Sequence, residues 1–109
     1  NYKKAIEWYK KAAKQGYANA QYDLGIMYHH GRGVDVNYKK AVEWWEKAAE
    51  QGYAMAQYNL GTMYEVGLGV GQSDSMAMRW YAKAAAQGHK KGQKAVNGIL
   101  AKRRASTAE

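Results

Sequence analysis

This chain predicts an all-α solenoid of antiparallel helix pairs, about three repeats and six helices. Three observations carry that reading: a 36-residue internal repeat, apolar residues at helical spacing within each unit, and glycine as the only strong chain breaker. Shifting the sequence by 36 residues lays Asn1-Tyr-Lys-Lys-Ala5 on Asn37-Tyr-Lys-Lys-Ala41 and Gln15-Gly16-Tyr17-Ala18 on Gln51-Gly52-Tyr53-Ala54. Gly31-Arg-Gly33-Val34 falls on Gly67-Leu-Gly69-Val70, and two thirds of residues 1–36 recur identically. A weaker third copy supplies Ala77, Trp80, Tyr81, Lys83-Ala84-Ala85 and Gln87-Gly88 before it diverges. Periods of this size mark units that bury their apolar faces against one another. The expected units are 1–36, 37–72 and a degenerate capping unit at 73–109, together one domain.

Each unit divides into two helices. In the first unit Ala5, Trp8, Tyr9, Ala12 and Ala13 share one side of a helical wheel, and Gly16 closes this helix A. After a short turn Ala20, Leu24, Met27 and Tyr28 make the stripe of helix B, stopped by Gly31 and Gly33. So short a turn makes the pair antiparallel. Gly25 then stands where a missing side chain admits a neighbouring ring, expected to be Trp8 or Tyr9, and Gly61 does the same for Trp44 or Trp45. In the third unit Lys94 replaces Tyr22 and Tyr58, and Asn97 replaces Gly25 and Gly61. A polar outer face followed by Lys102-Arg103-Arg104 reads as a C-terminal cap. The first helix A is a full repeat with Tyr2, Trp8 and Tyr9 uncovered, so the chain is expected to be the C-terminal part of a longer array, able to self-associate through this face.

Composition agrees with this packing scheme. Ten Tyr, four Trp and five Met, with no Phe and no Pro, require large rings to pack against the many alanines and glycines. Without cysteine there is neither a disulfide staple nor a thiolate metal site, and no apolar run approaches the roughly 20 residues of a membrane-spanning helix. Membrane insertion is therefore not expected.

The pattern Ala-x-x-Trp-Tyr-x-Lys-Ala-Ala-x-Gln-Gly-x-Ala-x-Ala-Gln-Tyr-x-Leu-Gly-x-Met-Tyr-x-x-Gly-x-Gly-Val runs from Ala5 to Val34. It runs again, with Trp45 in place of Tyr, from Ala41 to Val70, and it resembles the Sel1-like repeat family. The resemblance covers nearly the whole chain. It implies a right-handed superhelix similar to tetratricopeptide repeats, serving as a non-enzymatic adaptor that binds a protein or peptide along a concave face lined by helix A. By the same resemblance the protein would be bacterial, with a periplasmic, envelope or secreted location among those implied, and toxin-neutralising binders are among the family's roles.

Candidate contact residues lie opposite the packed stripe of helix A: Lys3, Glu7, Lys10 and Lys14, then Lys39, Glu43, Glu46 and Glu50, then Arg79 beside Ser75, Ala82 and Ala86. Framework positions repeat while Lys10 and Lys14 become Glu46 and Glu50 and the third unit changes all four, as suits a scaffold that varies the surface it offers. Residues 1–36 carry a net charge of +3, 37–72 carry −1 and 73–109 carry +6, giving +8 in all. An acidic middle between basic ends suits a partner of mixed charge. Nucleic acid is not the expected partner, because the Trp and Tyr residues that could stack on bases recur at core spacing. An alternative role is assembly, with the leading face docking on upstream repeats or another copy.

Catalytic readings find little support. His29 and His30 are adjacent, so they read as a diverging surface pair and lack the i, i+4 spacing of helical metal ligands. Gly67-Leu-Gly69-Val-Gly71 follows a helix and lacks the Gly-Lys-Ser/Thr ending of a phosphate loop. No enzymatic activity, cofactor or metal is expected.

Overall fold

The computed structural model describes residues 1–108, all helix and turn. Helices α1 (Tyr2–Lys14), α2 (Ala18–His30), α3 (Tyr38–Glu50), α4 (Ala54–Val66), α5 (Asp74–Ala86) and α6 (Lys90–Ala108) follow one another as antiparallel neighbours. The A helices of the sequence are α1, α3 and α5, and the B helices are α2, α4 and α6. Each helix packs on the next in the chain, giving a body 53 × 26 × 18 Å. That elongation belongs to an array whose units touch only their neighbours.

Local chemistry sets the helix ends. The side chains of Asn1, Asn37 and Ser73 accept from the backbone N–H groups of Lys3, Lys40 and Met76 at 2.9, 3.0 and 3.1 Å, satisfying donors that the first helical turn leaves open. At the other end Gly31 and Gly67 turn into the left-handed region (φ +70° and +80°) and return their N–H groups to the Met27 and Met63 carbonyls. His89 caps α6: its Nδ1 accepts from the Gly92 N–H at 3.0 Å, which the equivalent Tyr17 and Tyr53 do not do for α2 and α4.

The packing corrects two expectations about the rings. Gly25 receives Trp45 of α3, not Trp8 or Tyr9 of its own unit, and Gly61 receives Tyr81 of α5, not Trp44 or Trp45. The reason is that α2 lies more closely on α3, and α4 on α5, than either does on the helix before it. A Cβ at Gly25 would overlap the Trp45 indole, whose Nε1–H also donates to the Tyr22 carbonyl at 3.0 Å. Trp8 is likewise no part of the core, being 63 % exposed on the outermost helix. Its equivalents sink progressively, with Trp44 half-buried and Trp80 buried in the cluster that runs through the first four helices. Ile6 and Val42, which the wheel did not single out, are buried.

Two buried glutamines join the units. Gln21 donates to the Ala13 carbonyl at 3.1 Å, while Gln51, from the next unit, donates to the Gly16 carbonyl and to the Gln21 Oε1, both at 2.9 Å. The set recurs one period later: Gln57 donates to Ala49, and Gln87 donates to Gly52 and to the Gln57 Oε1. A buried amide is costly unless bonded, so these relays hold successive units in one register.

Gly61→Leu is expected to destabilise the fold by about 1–3 kcal/mol, since even a Cβ there would lie 2.7 Å from Tyr81 Cδ1. Trp45→Ala should cost about 3–5 kcal/mol, and Trp44→Ala clearly less, because Trp45 is buried and Trp44 only half-buried. Urea denaturation of the three variants would check the order.

Candidate interaction surfaces

The odd-numbered helices carry the contact residues expected from the sequence. Lys3, Glu7, Lys14, Lys39, Glu43, Glu50 and Arg79 are exposed, while Lys10 and Glu46 are half-buried. The fold gathers only some of them. Lys10, Lys14 and Glu43 meet Lys40, Trp44 and Lys47 around a depression of about 340 Å³ between α1 and α3. A second, also about 340 Å³, is lined by Glu43, Glu46, Lys47 and Glu50. Lys3, Glu7, Lys39 and Arg79 line neither. Lys47 lies over the half-buried Trp44 ring at 5.7 Å and Lys40 over the buried Tyr28 ring at 5.4 Å, so cation–π attraction holds both lysine heads at this face. Among the described residues the one ion pair is Lys102–Asp74, so Glu43, Glu46 and Glu50 sit beside lysines without closing on them.

The even-numbered helices build something the sequence reading did not pick out. Three recesses repeat at the same positions of successive units. The middle one, about 330 Å³, lies between α2 and α4, with Tyr22, Ile26 and His29 on one wall, Tyr58, Asn59 and Thr62 on the other, and the Trp45 indole between them. One unit later Tyr58, Thr62 and Glu65 face Lys91, Lys94 and Ala95 across Tyr81, around about 520 Å³. One unit earlier Tyr9 takes the ring position, with Asp23, Ile26 and Met27 beside it and Tyr2 and Arg32 at the rim, around about 180 Å³. The cause is the ring seated on glycine: because Trp45 and Tyr81 insert at Gly25 and Gly61, successive B helices are held apart, with the buried ring beneath the space between them. The signal was present in the sequence as an i, i+4, i+7 line, Tyr22-Ile26-His29 against Tyr58-Thr62-Glu65, whose last two members change while flanking residues repeat.

Hydrogen bonding and burial differ between recesses. The Tyr81 hydroxyl donates to Glu65 Oε1 at 2.7 Å and lies 3.1 Å from Thr62 Oγ1; burial holds this phenol far above its ordinary range. Tyr22 is also pushed up by burial, against a lowering contact from Asn59. Burial raises the Asp23 carboxyl, offset in part by the Tyr9 hydroxyl. His29 and His30 are no diverging surface pair. Their rings meet edge to face at 4.8 Å, and His29 is half-buried between His30, Tyr38 at 5.3 Å and Trp45 at 5.5 Å. Burial, then the neighbouring His30, lowers the His29 pKa, and its Nδ1 is enclosed without a hydrogen-bond partner among the described residues. No group of three or more metal-binding side chains gathers among the described residues, and none of their helices is long and apolar enough to cross a membrane.

A stack of antiparallel helix pairs in repeat register, with grooved surfaces whose rims vary from unit to unit, defines a helical-repeat superhelix of the protein-interaction class. The Sel1 repeat model matches residues 1–17, 18–53 and 54–89, and the chain belongs to the Sel1 repeat family. The second and third matches begin at the first residues of α2 and α4, which pairs each even helix with the odd helix it packs on most closely.

Solved structures are similar throughout. One is a protective antigen of uropathogenic Escherichia coli with an SLR fold, 48% identical with a TM-score of 0.80 over 81% of this chain and 19% of its own. Another is a Sel1 repeat protein of Oxalobacter formigenes, 38% identical with a TM-score of 0.86 over 88% of this chain and 40% of its own. The Helicobacter pylori cysteine rich protein B shares the fold at 24% identity, with a TM-score of 0.82 over 86% of this chain and 71% of its own. An F-box protein of Arabidopsis thaliana is 50% identical over 32 residues, which are 29% of this chain and 9% of that protein. The chain thus spans a minor part of the F-box protein and of the first two structures. Sel1-repeat proteins generally mediate protein–protein interaction and are of a non-catalytic scaffold type.

The His29 environment predicts a pH dependence of stability. An unfolded histidine titrates near its ordinary value of about 6.5, whereas folded His29 resists its proton. As pH falls from 7 toward 5 the unfolded chain takes up this proton first, so stability drops. The raised Asp23 carboxyl works in the opposite sense, but nearer the carboxylate range. Urea midpoints between pH 5 and 7 should decline with acidity, and His29→Gln should flatten that slope.

Proposed function

We propose that this chain is a protein-binding scaffold that holds a segment of its partner in the groove crossing α2, α4 and α6. The observation that carries this reading is the recurrence of the recess: one ring position at 9, 45 and 81, wall positions at 22, 58 and 94, and rims that change between units. The half-buried Tyr22 and Tyr58 supply apolar contact for a bound side chain, and a changing rim selects among segments. The buried glutamine relays keep these parts in register before anything binds, which limits the ordering cost of association.

The acidic face of α3 supports a second reading, in which Glu43, Glu46 and Glu50, with Lys10 and Lys14 across the depression, contact a partner of mixed charge. Lys3, Glu7, Lys39 and Arg79 would extend that surface along the odd helices. Assembly is a further role. Tyr2 and Trp8 are 56 % and 63 % exposed on the leading helix, an aromatic surface suited to another unit or copy. On that view residues 73–109 serve as the cap of a longer array, with Lys94 and Asn97 on an exposed polar face.

Selection of random dodecamer peptides against the immobilised chain, followed by rebinding to variants, tests these readings. Ile26→Trp fills the middle recess from a half-buried wall position and should abolish rebinding of most selected peptides while the helix content is retained. The triple variant Glu43→Lys, Glu46→Lys, Glu50→Lys should leave them bound; loss there, with Ile26→Trp without effect, would move the site to the odd helices. Light scattering over a concentration series tests assembly: dimers that vanish in Trp8→Lys would support docking through the leading face, and a monomer throughout would remove it.

A further inference from the structure

From the chemistry of the successive recesses we infer the kind of segment this groove accepts: an acidic peptide whose bulky apolar side chain sits in the middle recess, and whose carboxylates lie against Lys91 and Lys94 one unit on. The inference rests on the groove reading above. The middle recess has no carboxylate on its walls, because Asn59 stands where Asp23 stands one unit earlier. Its depth is aromatic, with the Tyr22 and Tyr58 rings at either side of Trp45. An apolar anchor is what such a surface takes up, since it removes ring and side-chain surface from water together.

The next recess differs in charge. Lys91 and Lys94 are both exposed on its α6 wall, and neither has a carboxylate within ion-pair distance among the described residues. The one acid lining it, Glu65, has an oxygen occupied by the Tyr81 hydroxyl at 2.7 Å. Two unpaired ammonium groups facing a single engaged carboxylate make this end of the groove a cation surface, within a C-terminal third of net charge +6. Opposite charge on the partner then fixes the direction in which the segment lies and raises its association rate.

Fluorescence polarisation with three labelled nonamers tests the inference. Each carries one leucine as anchor, flanked by Asp and Glu in the first, by Ser and Gly in the second and by Lys and Arg in the third; a nonamer extends to about 30 Å. The acidic probe is expected to bind tightest and to weaken about tenfold or more in the double variant Lys91→Glu, Lys94→Glu, with a reduced salt dependence. The neutral probe should be unmoved by that variant, and Ile26→Trp should weaken both. Far-UV circular dichroism confirms that each variant is folded. Neutral or basic probes binding as tightly as the acidic one, or an acidic probe indifferent to Lys91 and Lys94, would overturn the acidic partner while leaving the groove in place. Probes indifferent to Ile26→Trp would overturn the groove reading and this inference with it. Oligothymidylate bound as tightly as the acidic probe through the same lysines would overturn it in favour of nucleic acid.

Discussion

The seating of one large ring on one glycine sets the geometry of this molecule. Trp45 lies on the α2 backbone at Gly25 and Tyr81 on the α4 backbone at Gly61, so each even helix and the odd helix after it form the closest pair in the stack. The ring is secured differently in the two cases. Trp45 donates to a main-chain carbonyl of α2, whereas Tyr81 reaches further along α4 to the side chains of Thr62 and Glu65. Either way a buried aromatic group with a satisfied polar tip fixes the angle between units.

The same contact produces the surface. A ring wedged between successive even helices keeps their side chains from closing on each other, which leaves recesses floored by that ring. Stability and the shape of this surface therefore come from the same atoms, and the recesses cannot be lost without loosening the joint between units. What is free to vary is the rim. Ile26 and Thr62, His29 and Glu65, Asp23 and Asn59 change polarity from unit to unit while Leu24 and Leu60 behind them stay fully buried. Such a division lets a repeat protein alter what it binds at little cost to its fold.

His29 shows how far the setting of a residue can depart from its surroundings in the chain. Next to an exposed histidine at the end of a helix, it is nevertheless enclosed by Tyr38 and Trp45 of the following helix and left without a partner for Nδ1 among the described residues. An imidazole in that position favours the neutral form, because a charge would have to be desolvated among aromatic rings.

The sequence by itself determined the number of helices, the glycines that end them and the repeat that stacks them. These follow from short-range rules: Gly31 and Gly67 take the backbone to positive φ, and apolar residues recur every three to four positions. Tertiary structure alone decided which ring meets which glycine. A helical wheel gives the direction of a side chain but not its neighbour, and Trp44 and Trp45, adjacent and alike in the sequence, end half-buried and buried respectively. The charged stripe on the odd helices was legible because it lies on a single helix face. The two recesses between successive even helices were not, because each is assembled from three helices whose spacing depends on a ring seated on a glycine twenty positions earlier in the chain.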